Sequence, residues 1–291
     1  MIRFSFSGPI LFLLIPWLYS SGPPSDGLPK EFRQLTNHGA TDYHPVFSPS
    51  GDEVLFTSRR EETAALIRIA FDGGELTQVP IGLTGDLYSD WHPDGRSIVF
   101  DARENGGPPD IFRYWIESGE LRRLTEHPGM DGHPSFSPDG NQIAFMSTRG
   151  GNGDIWIIDV DGANLRQLTH HPDGDWHPKW SPDGQNILFS SDRDGDADLW
   201  VIGVDESGLR KLTSLPGVAD RGSWSPDGSR VVFQWEGDLW LVDSRGGDPE
   251  QLTDFPGMEG NPAWSPDGSS IVFAGDSSGN LNLWVLSLQE R

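Results

Sequence analysis

The amino-acid sequence predicts an all-β protein: a six-bladed β-propeller of four-stranded blades, its ring closed by an N-terminal strand that completes the last blade. Three observations predict this fold class. A turn motif recurs six times, and its first residues are 44, 45, 44, 44 and 40 positions apart. Apolar and polar residues alternate after each turn, as they do in β-strands. The segment that ends four of the repeats also precedes the first one, which indicates a closed ring.

The recurring motif is Ser-Pro-Asp-Gly. It is intact at 137–140, 181–184, 225–228 and 265–268, and it is degenerate at 48–51 and 92–95. Proline presets φ for the second position of a tight turn, and glycine suits a position that needs a positive φ. An aromatic residue precedes every copy. Each motif therefore predicts a turn at the end of the first strand of a repeat.

The third repeat shows four strands most clearly. We predict them near His133–Phe136, Gln142–Ser147, Ile155–Val160 and Leu165–Thr169. These segments are rich in β-branched and aromatic residues and are separated by glycine and aspartate. A repeat of about 44 residues with four strands matches one propeller blade.

The N-terminal segment supplies the strand that the last repeat lacks. Residues 33–36 repeat the sequence Arg-Gln-Leu-Thr of 166–169, and Leu35 precedes its turn by the same 13 positions as Leu168. The last repeat ends after a third strand at Leu283–Leu288. We predict that the segment 32–36 pairs with that strand, which would hide the edges of the sheet.

Composition and charge exclude several classes of function. The chain has 291 residues and no cysteine, so it has no disulfide, thiolate metal site or cysteine nucleophile. Its formal net charge of −23 predicts no nucleic-acid partner, because such a surface needs basic residues. The same charge favours cations and basic partners.

Residues 1–22 lie outside the repeats and are predicted to be a signal peptide. Arg3 is the single positive charge, Pro9–Tyr19 is almost entirely apolar, and small residues follow at 20–22. A misassigned start or an N-terminal tail are the alternatives. The apolar run is too short for a membrane span, so we expect no stable membrane insertion. The predicted organisation is a signal peptide (1–22), a linker (23–31) and a propeller (32–291), in a periplasmic or secreted protein.

The turn, the Arg/Gly loop and the terminal Leu-Thr together resemble the propeller repeat of TolB, the periplasmic component of the Tol-Pal system. The resemblance covers residues 32–291. TolB carries an α/β domain ahead of its propeller, whereas a signal-like segment and a linker precede it here. The same repeat occurs in peptidase propellers and polysaccharide lyases. The resemblance therefore implies a propeller fold and leaves binding and catalysis both open.

Two sets of polar residues recur before the turns and are candidates for a binding site at the channel mouth. The sixth position before each turn carries a carboxylate in five repeats, at Asp42, Asp86, Asp131, Asp175 and Glu259. We call these five the carboxylate ring. The fourth position carries His44, Tyr88, His133, His177, Arg221 and Asn261, which we call the inner ring. Ring symmetry is expected to bring each set together around one opening.

The chemistry of these residues suggests two kinds of ligand. Carboxylates suit calcium, so the carboxylate ring is a candidate calcium site, while imidazoles suit zinc or manganese. The alternative is structural, because a repeated aspartate often accepts hydrogen bonds from nearby backbone N–H groups. Structural pairs are also expected within the blades, between Arg60, Arg103, Arg149 and Arg193 and the acids that begin the third strands, Asp110, Asp154, Asp198 and Asp238.

Two functions remain open from the sequence. The favoured one is a monomeric, non-catalytic extracytoplasmic module whose acidic channel mouth binds a protein, a peptide or a glycan, with calcium as a candidate cofactor. The alternative is a metal-dependent enzyme, similar to a polysaccharide lyase, that uses the His/Asp rim. Binding is favoured because the sequence shows no nucleophile–base pair, and a fold alone does not imply chemistry. No catalytic residue is assigned.

Overall fold

A computed structural model describes residues 30–60, 63–254, 257–276 and 279–288. Their strands form six antiparallel sheets of four strands each, which are the blades of a propeller. The predicted fold class is confirmed. The predicted signal peptide and residues 23–29 of the predicted linker lie outside the described residues. Among those described, no helix is long and apolar enough to cross a membrane.

Blades 1 to 5 each consist of four strands that are consecutive in the chain. Blade 1 has β2 Thr41–Phe47, β3 Glu53–Arg60, β4 Thr63–Ala70 and β5 Thr77–Gln78, and blade 2 has β6 Ser89–Trp91, β7 Ser97–Arg103, β8 Pro109–Trp115 and β9 Leu121–Arg123. Blade 3 has β10 Asp131–Phe136, β11 Gln142–Ser147, β12 Asp154–Asp159 and β13 Arg166–Gln167, and blade 4 has β14 Asp175–Trp180, β15 Asn186–Ser191, β16 Asp198–Gly203 and β17 Arg210–Lys211. Blade 5 has β18 Ala219–Trp224, β19 Arg230–Trp235, β20 Asp238–Asp243 and β21 Glu250–Gln251.

Blade 6 joins the two ends of the chain. Its strands β22 Glu259–Trp264, β23 Ser270–Gly275 and β24 Asn282–Leu288 are completed by the N-terminal strand β1 Lys30–Gln34. β1 runs antiparallel to β24, and Leu35 N then donates to Leu283 O over 2.8 Å. The predicted closure is confirmed. Strand β1 also includes residues 30 and 31 of the predicted linker.

The Ser-Pro-Asp-Gly turns are held by the same hydrogen bonds in each intact copy. In blade 3, Ser137 Oγ donates to Asp139 Oδ1 over 2.6 Å and accepts from Gln142 N over 2.9 Å. Gly140 has φ +74°, a value that favours glycine. The motif therefore recurs because serine and aspartate close the turn and glycine supplies its backbone conformation.

A Leu-Thr pair follows the fourth strands of blades 2 to 5, which are shorter than expected. β13 covers only residues 166 and 167 of the predicted 165–169. Beyond it, Leu168 is buried, and Thr169 Oγ1 accepts from Ile155 N of the third strand over 2.9 Å. Thr125, Thr213 and Thr253 make the equivalent contact in their blades. The threonine side chain thus replaces the backbone pairing of a longer strand.

The hydrophobic core lies between neighbouring blades. Its largest members are six fully buried phenylalanines, one on each second strand, at Phe56, Phe100, Phe145, Phe189, Phe233 and Phe273. In the joint between blades 6 and 1, Leu35 packs in one cluster with Phe56 and Val272. Burial of such side chains is the main favourable term in folding. The first strands are consequently fixed around a central channel.

Candidate functional site

The inner ring is formed at a repeated irregularity of the first strands. In blade 3 the pairing of β10 with β11 shifts register between Gly132 and Ser135, and His133 between them has φ 55°. His44, His177, Arg221 and Asn261 have φ of 53° to 57° at the same position. Blade 2 departs from this pattern, since Leu87 rather than Tyr88 has the positive φ. Such bulges re-aim side chains, and strained residues of this kind cluster at functional sites.

Four aromatic rings of the inner ring pack against one another. The rings of His44 and Tyr88 stack at 3.6 Å between centroids, and those of His133 and His177 stack at 4.2 Å. Tyr88 joins the two pairs, with its centroid 4.2 Å from that of His133. The structure therefore brings these four predicted residues together. Burial raises the pKa of Tyr88 to about 12, which keeps its phenol neutral.

Arg221 and Asn261, the other two members of the inner ring, both contact His44. Arg221 Nη1 lies 3.3 Å from His44 Nε2, and His44 N donates to Asn261 Oδ1 over 3.1 Å. A guanidinium can only donate, so Nε2 is the acceptor and the imidazole proton lies on Nδ1. Burial, followed by the charge of Arg221, holds the pKa of His44 well below its usual range. Burial does the same for His133, so both imidazoles are neutral at pH 7.

His177 has a different partner, which the sequence analysis missed. Its Nδ1 lies 2.8 Å from Asp220 Oδ1, and Asp220 also accepts from Ser190 Oγ and from Arg221 N. Burial raises the pKa of Asp220, but the charge and hydrogen bond of His177 and the Ser190 hydroxyl outweigh it and hold that pKa well below its usual range. Asp220 is therefore ionised. The sequence does contain an indication of this role of Asp220, because only blade 5 has an acidic residue next to its inner-ring residue.

A central cavity of about 290 Å³ adjoins the inner ring. All six inner-ring residues line it, together with residues one to three positions further along the first strands, such as Pro134, Ser135 and Phe136 in blade 3. These residues lie between the inner ring and the Ser-Pro-Asp-Gly turns. The cavity therefore lies on the turn side of the inner ring.

Four members of the carboxylate ring each contact a basic side chain of their own. Asp131 pairs with Arg149 Nη2 over 2.6 Å, and both oxygens of Asp175 accept from Arg193 Nη2, at 2.8 and 2.9 Å. Asp42 lies 3.2 Å from His38 Nε2, while the exposed Asp86 lies 3.4 Å from Arg59. Within the described ranges no three His, Asp or Glu side chains are placed to hold a metal ion. Calcium binding at the carboxylate ring stays a prediction.

The arginines and aspartates that are predicted to pair with one another contact other side chains instead. Arg149 and Arg193 pair with acids of the first strands, as described above. The acids that begin the third strands contact the fourth strands instead: Asp110 with Arg123 at 2.6 Å, Asp154 with Gln167 at 3.1 Å, Asp198 with Lys211 at 2.8 Å and Asp238 with Gln251 at 2.9 Å. The expected partners were wrong because side chains on adjacent strands reach these acids directly.

Glu259, the carboxylate-ring member of blade 6, is buried, and none of the ion pairs between described residues involves it. Its Oε2 accepts from Leu239 N over 3.3 Å and from Thr253 Oγ1. Burial raises its pKa from 4.5 to about 7. The pKa of Glu259 is higher in the folded than in the unfolded protein. The protonated side chain therefore contributes fully to the free energy of unfolding below pH 4.5, and this contribution is lost as the pH rises to about 7.

We therefore expect the free energy of unfolding to fall from pH 5 to pH 8, by on the order of 2 kcal/mol from Glu259. Glu259→Gln should flatten this dependence, because its amide does not ionise. Glu250→Gln is the matched control, since Glu250 is exposed. Urea unfolding across this pH range measures the slope. An equal slope in Glu259→Gln and in the parent would contradict the assignment.

Comparison with known proteins identifies the repeat. A family model described as the TolB beta propeller domain matches residues 106–239. The chain is 30% identical to the Bacillus subtilis protein called uncharacterized peptidase YuxL, over 35% of this chain and 21% of that protein. It is 38% identical to the Tol-Pal system protein TolB of Francisella tularensis subsp. mediasiatica, over 21% of this chain and 14% of TolB. The chain thus spans about a fifth or less of these relatives.

Solved structures share the fold over most of the chain. A putative TolB from Agrobacterium tumefaciens is 23% identical, with a TM-score of 0.72, covering 90% of this chain and 98% of that one. TolB from Acinetobacter baumannii is 23% identical, with a TM-score of 0.66, covering 87% and 64%. An oligogalacturonate lyase in complex with manganese is 18% identical, with a TM-score of 0.58, covering 91% and 97%. These likenesses establish the fold, which binding proteins and enzymes share.

Proposed function

We propose that this chain, a six-bladed β-propeller whose residues 106–239 match the TolB beta propeller domain, is an extracytoplasmic binding module. Its central cavity receives a segment of a protein, a peptide or a glycan. One observation carries the proposal: six symmetry-related side chains converge on one cavity, and five of them do so from a strained backbone conformation. A periplasmic or secreted location follows from the signal-like N-terminal sequence and from the TolB relatives.

The state of the inner ring favours binding over metal-dependent catalysis. The imidazoles of His133 and His177 stack on each other, that of His44 stacks on Tyr88, and among the described residues no three such side chains are placed to hold a metal ion. His44 Nε2 already accepts from the Arg221 guanidinium, whose charge would repel a metal ion. The residues present therefore do not fit the manganese of the lyase neighbour. Flat rings and the nearby prolines instead offer a surface on which a ligand can pack.

An acid–base enzyme is the second candidate, and the His177–Asp220 pair supports it. The Asp220 carboxylate orients the His177 imidazole through Nδ1, which leaves Nε2 as the atom that could exchange a proton with a ligand. The Tyr88 ring lies beside it, with its centroid 5.7 Å from that of His177. This carboxylate–imidazole pair is the observation that favours acid–base catalysis without a metal as the second candidate.

Filling the cavity tests the proposal. Ala263 lines the cavity, so Ala263→Trp should occupy it and weaken binding of any ligand that enters by at least about tenfold. Ala163→Trp is the matched control, because Ala163 is exposed on a hairpin far along the blade. Ligand-observed NMR with short peptides and trigalacturonate gives the affinities.

Two outcomes of this experiment decide between the candidates. Probes that bind the parent and Ala163→Trp, but not Ala263→Trp, support the cavity as the site. Equal affinity in both variants would contradict it. Conversion of trigalacturonate to an unsaturated product by the parent, lost in His177→Gln, would replace the binding module with the enzyme.

A further inference from the structure

The central cavity contains cationic side chains although the protein has a net charge of −23. Arg221 and Lys179 both line it. Lys179 follows His177 by two positions, where the other blades carry Val46, Asp90, Ser135, Ser223 and Ala263. A lysine found in one blade does not meet a need of the repeat. Its position therefore points to a role specific to this protein.

The ammonium of Lys179 is available to a ligand. In the part of the chain that the structure describes, none of the ion pairs involves Lys179. The side chain is half-buried, which raises the cost of leaving its charge without a counter-charge. Its charge also contributes to the low pKa values of His44 and His133, so it acts on the inner ring.

Two carboxylates beside the inner ring accept several hydrogen bonds. Asp90 lines the cavity, but its Oδ1 accepts from Trp91 N and its Oδ2 accepts from Phe136 N, each over 3.0 Å. Asp220 is engaged by Ser190, by Arg221 N and by His177, and its Oδ2 lies 3.5 Å from Arg221 Nε. The Lys179 ammonium and the N–H groups of Arg221 that do not face His44 or Asp220 are the charged donors left at the cavity.

We propose that the central cavity recognises a carboxylate on an acidic peptide segment, bound by Arg221 and Lys179. This inference rests on the proposed binding function and names its ligand. A carboxylate is an acceptor-only group and forms strong hydrogen bonds with guanidinium and ammonium groups. A neutral glycan offers these cations only hydroxyl groups, which are weaker acceptors than a carboxylate. An aspartate or glutamate side chain therefore fits the two cations better than a neutral glycan does.

The charge of the rest of the protein sharpens this selectivity. A net negative surface repels anions, so a ligand gains from its carboxylate only where that group reaches the cavity. The two neutral imidazoles do not compete with the cations for the ligand, and their rings can pack against its apolar part. The cavity thus discriminates between an acidic segment and a neutral one of the same shape.

Calorimetric titration of the full chain with blocked tetraglutamate, blocked tetraglutamine and trigalacturonate tests the proposal. Tetraglutamate should bind, and tetraglutamine should bind more weakly. Lys179→Met and Arg221→Gln should each weaken it by at least about tenfold. Arg245→Gln is the matched control, because it removes the same charge from a side chain that is 87% exposed. Melting curves should show that Lys179→Met folds as the parent does.

The remaining outcomes separate this inference from the proposed function. Equal binding of tetraglutamate and tetraglutamine, abolished by Ala263→Trp, would overturn carboxylate recognition and keep the binding module. Binding of trigalacturonate alone would overturn the choice of a peptide. Binding of tetraglutamate that survives both Lys179→Met and Arg221→Gln would overturn the assignment of these two residues. No binding of any of the three probes would count against this inference and the proposed function together.

Discussion

A chain that begins at Thr41 is expected to lose cooperative folding or to aggregate. This truncation removes β1, whose five residues pair with β24, and it removes Leu35 from the joint between blades 6 and 1. It also removes Thr36, whose Oγ1 accepts from Leu283 N over 2.9 Å. The loss should exceed about 5 kcal/mol, which is comparable to the whole stability of many domains. The exposed edge of β24 would then be free to pair with other chains.

A chain that begins at Lys30 is the control, because it keeps β1 and should melt as the parent does. The point variant Leu35→Ala should cost about 2–5 kcal/mol, since it leaves a cavity in the core. Urea unfolding and light scattering measure both effects. If the chain that begins at Thr41 melts within about two degrees of the parent, β1 does not close the ring.

The second large effect is expected from the buried ion pairs of the carboxylate ring. Asp175→Asn should destabilise the fold by about 3–5 kcal/mol, because it leaves the buried Arg193 guanidinium without its counter-charge. Asp131→Asn should act in the same way through Arg149. Asp86→Asn changes the same repeat position where the side chain is 63% exposed, and it should stay within about 0.5 kcal/mol of the parent. Urea unfolding at pH 7 measures all three variants.

The same variants test calcium binding. If carboxylates of the ring bind calcium, the ion stabilises the parent by about 2.7 kcal/mol at a hundredfold excess over its dissociation constant. That gain should then disappear in Asp131→Asn and Asp175→Asn. The ion pairs favour the other result, which is no calcium effect together with lower stability of both variants. Equal stability of parent and variants without calcium would contradict the structural role.

The architecture could be predicted from the sequence because similar turns and local hydrogen bonds recur from blade to blade. In blade 3, for example, the Ser-Pro-Asp-Gly turn is closed by a hydrogen bond between its own side chains, and the threonine of the Leu-Thr pair accepts a hydrogen bond from the third strand. The copy of that end at Leu35 then predicted the closure. Features that recur at a fixed period, and depend on local contacts, are visible in one sequence.

The candidate site was only partly predictable, for two physical reasons. Asp131 and His133 are two residues apart, so a regular strand would place them on the same face. The bulge at His133 breaks that rule, sending the imidazole to the cavity while Asp131 pairs with Arg149. The second reason is that Lys179 and Asp220 occur in one blade each. A search for recurring residues does not find residues that make one blade different.

The most direct test of the central claim is a crystal structure of the protein soaked with blocked tetraglutamate. The claim is that the cavity on the turn side of the inner ring, rather than the carboxylate ring, is the binding site. We predict that one glutamate carboxylate lies within hydrogen-bond distance of Arg221 and Lys179. A peptide bound at the opposite face beside Asp86, with the central cavity empty, would contradict the account.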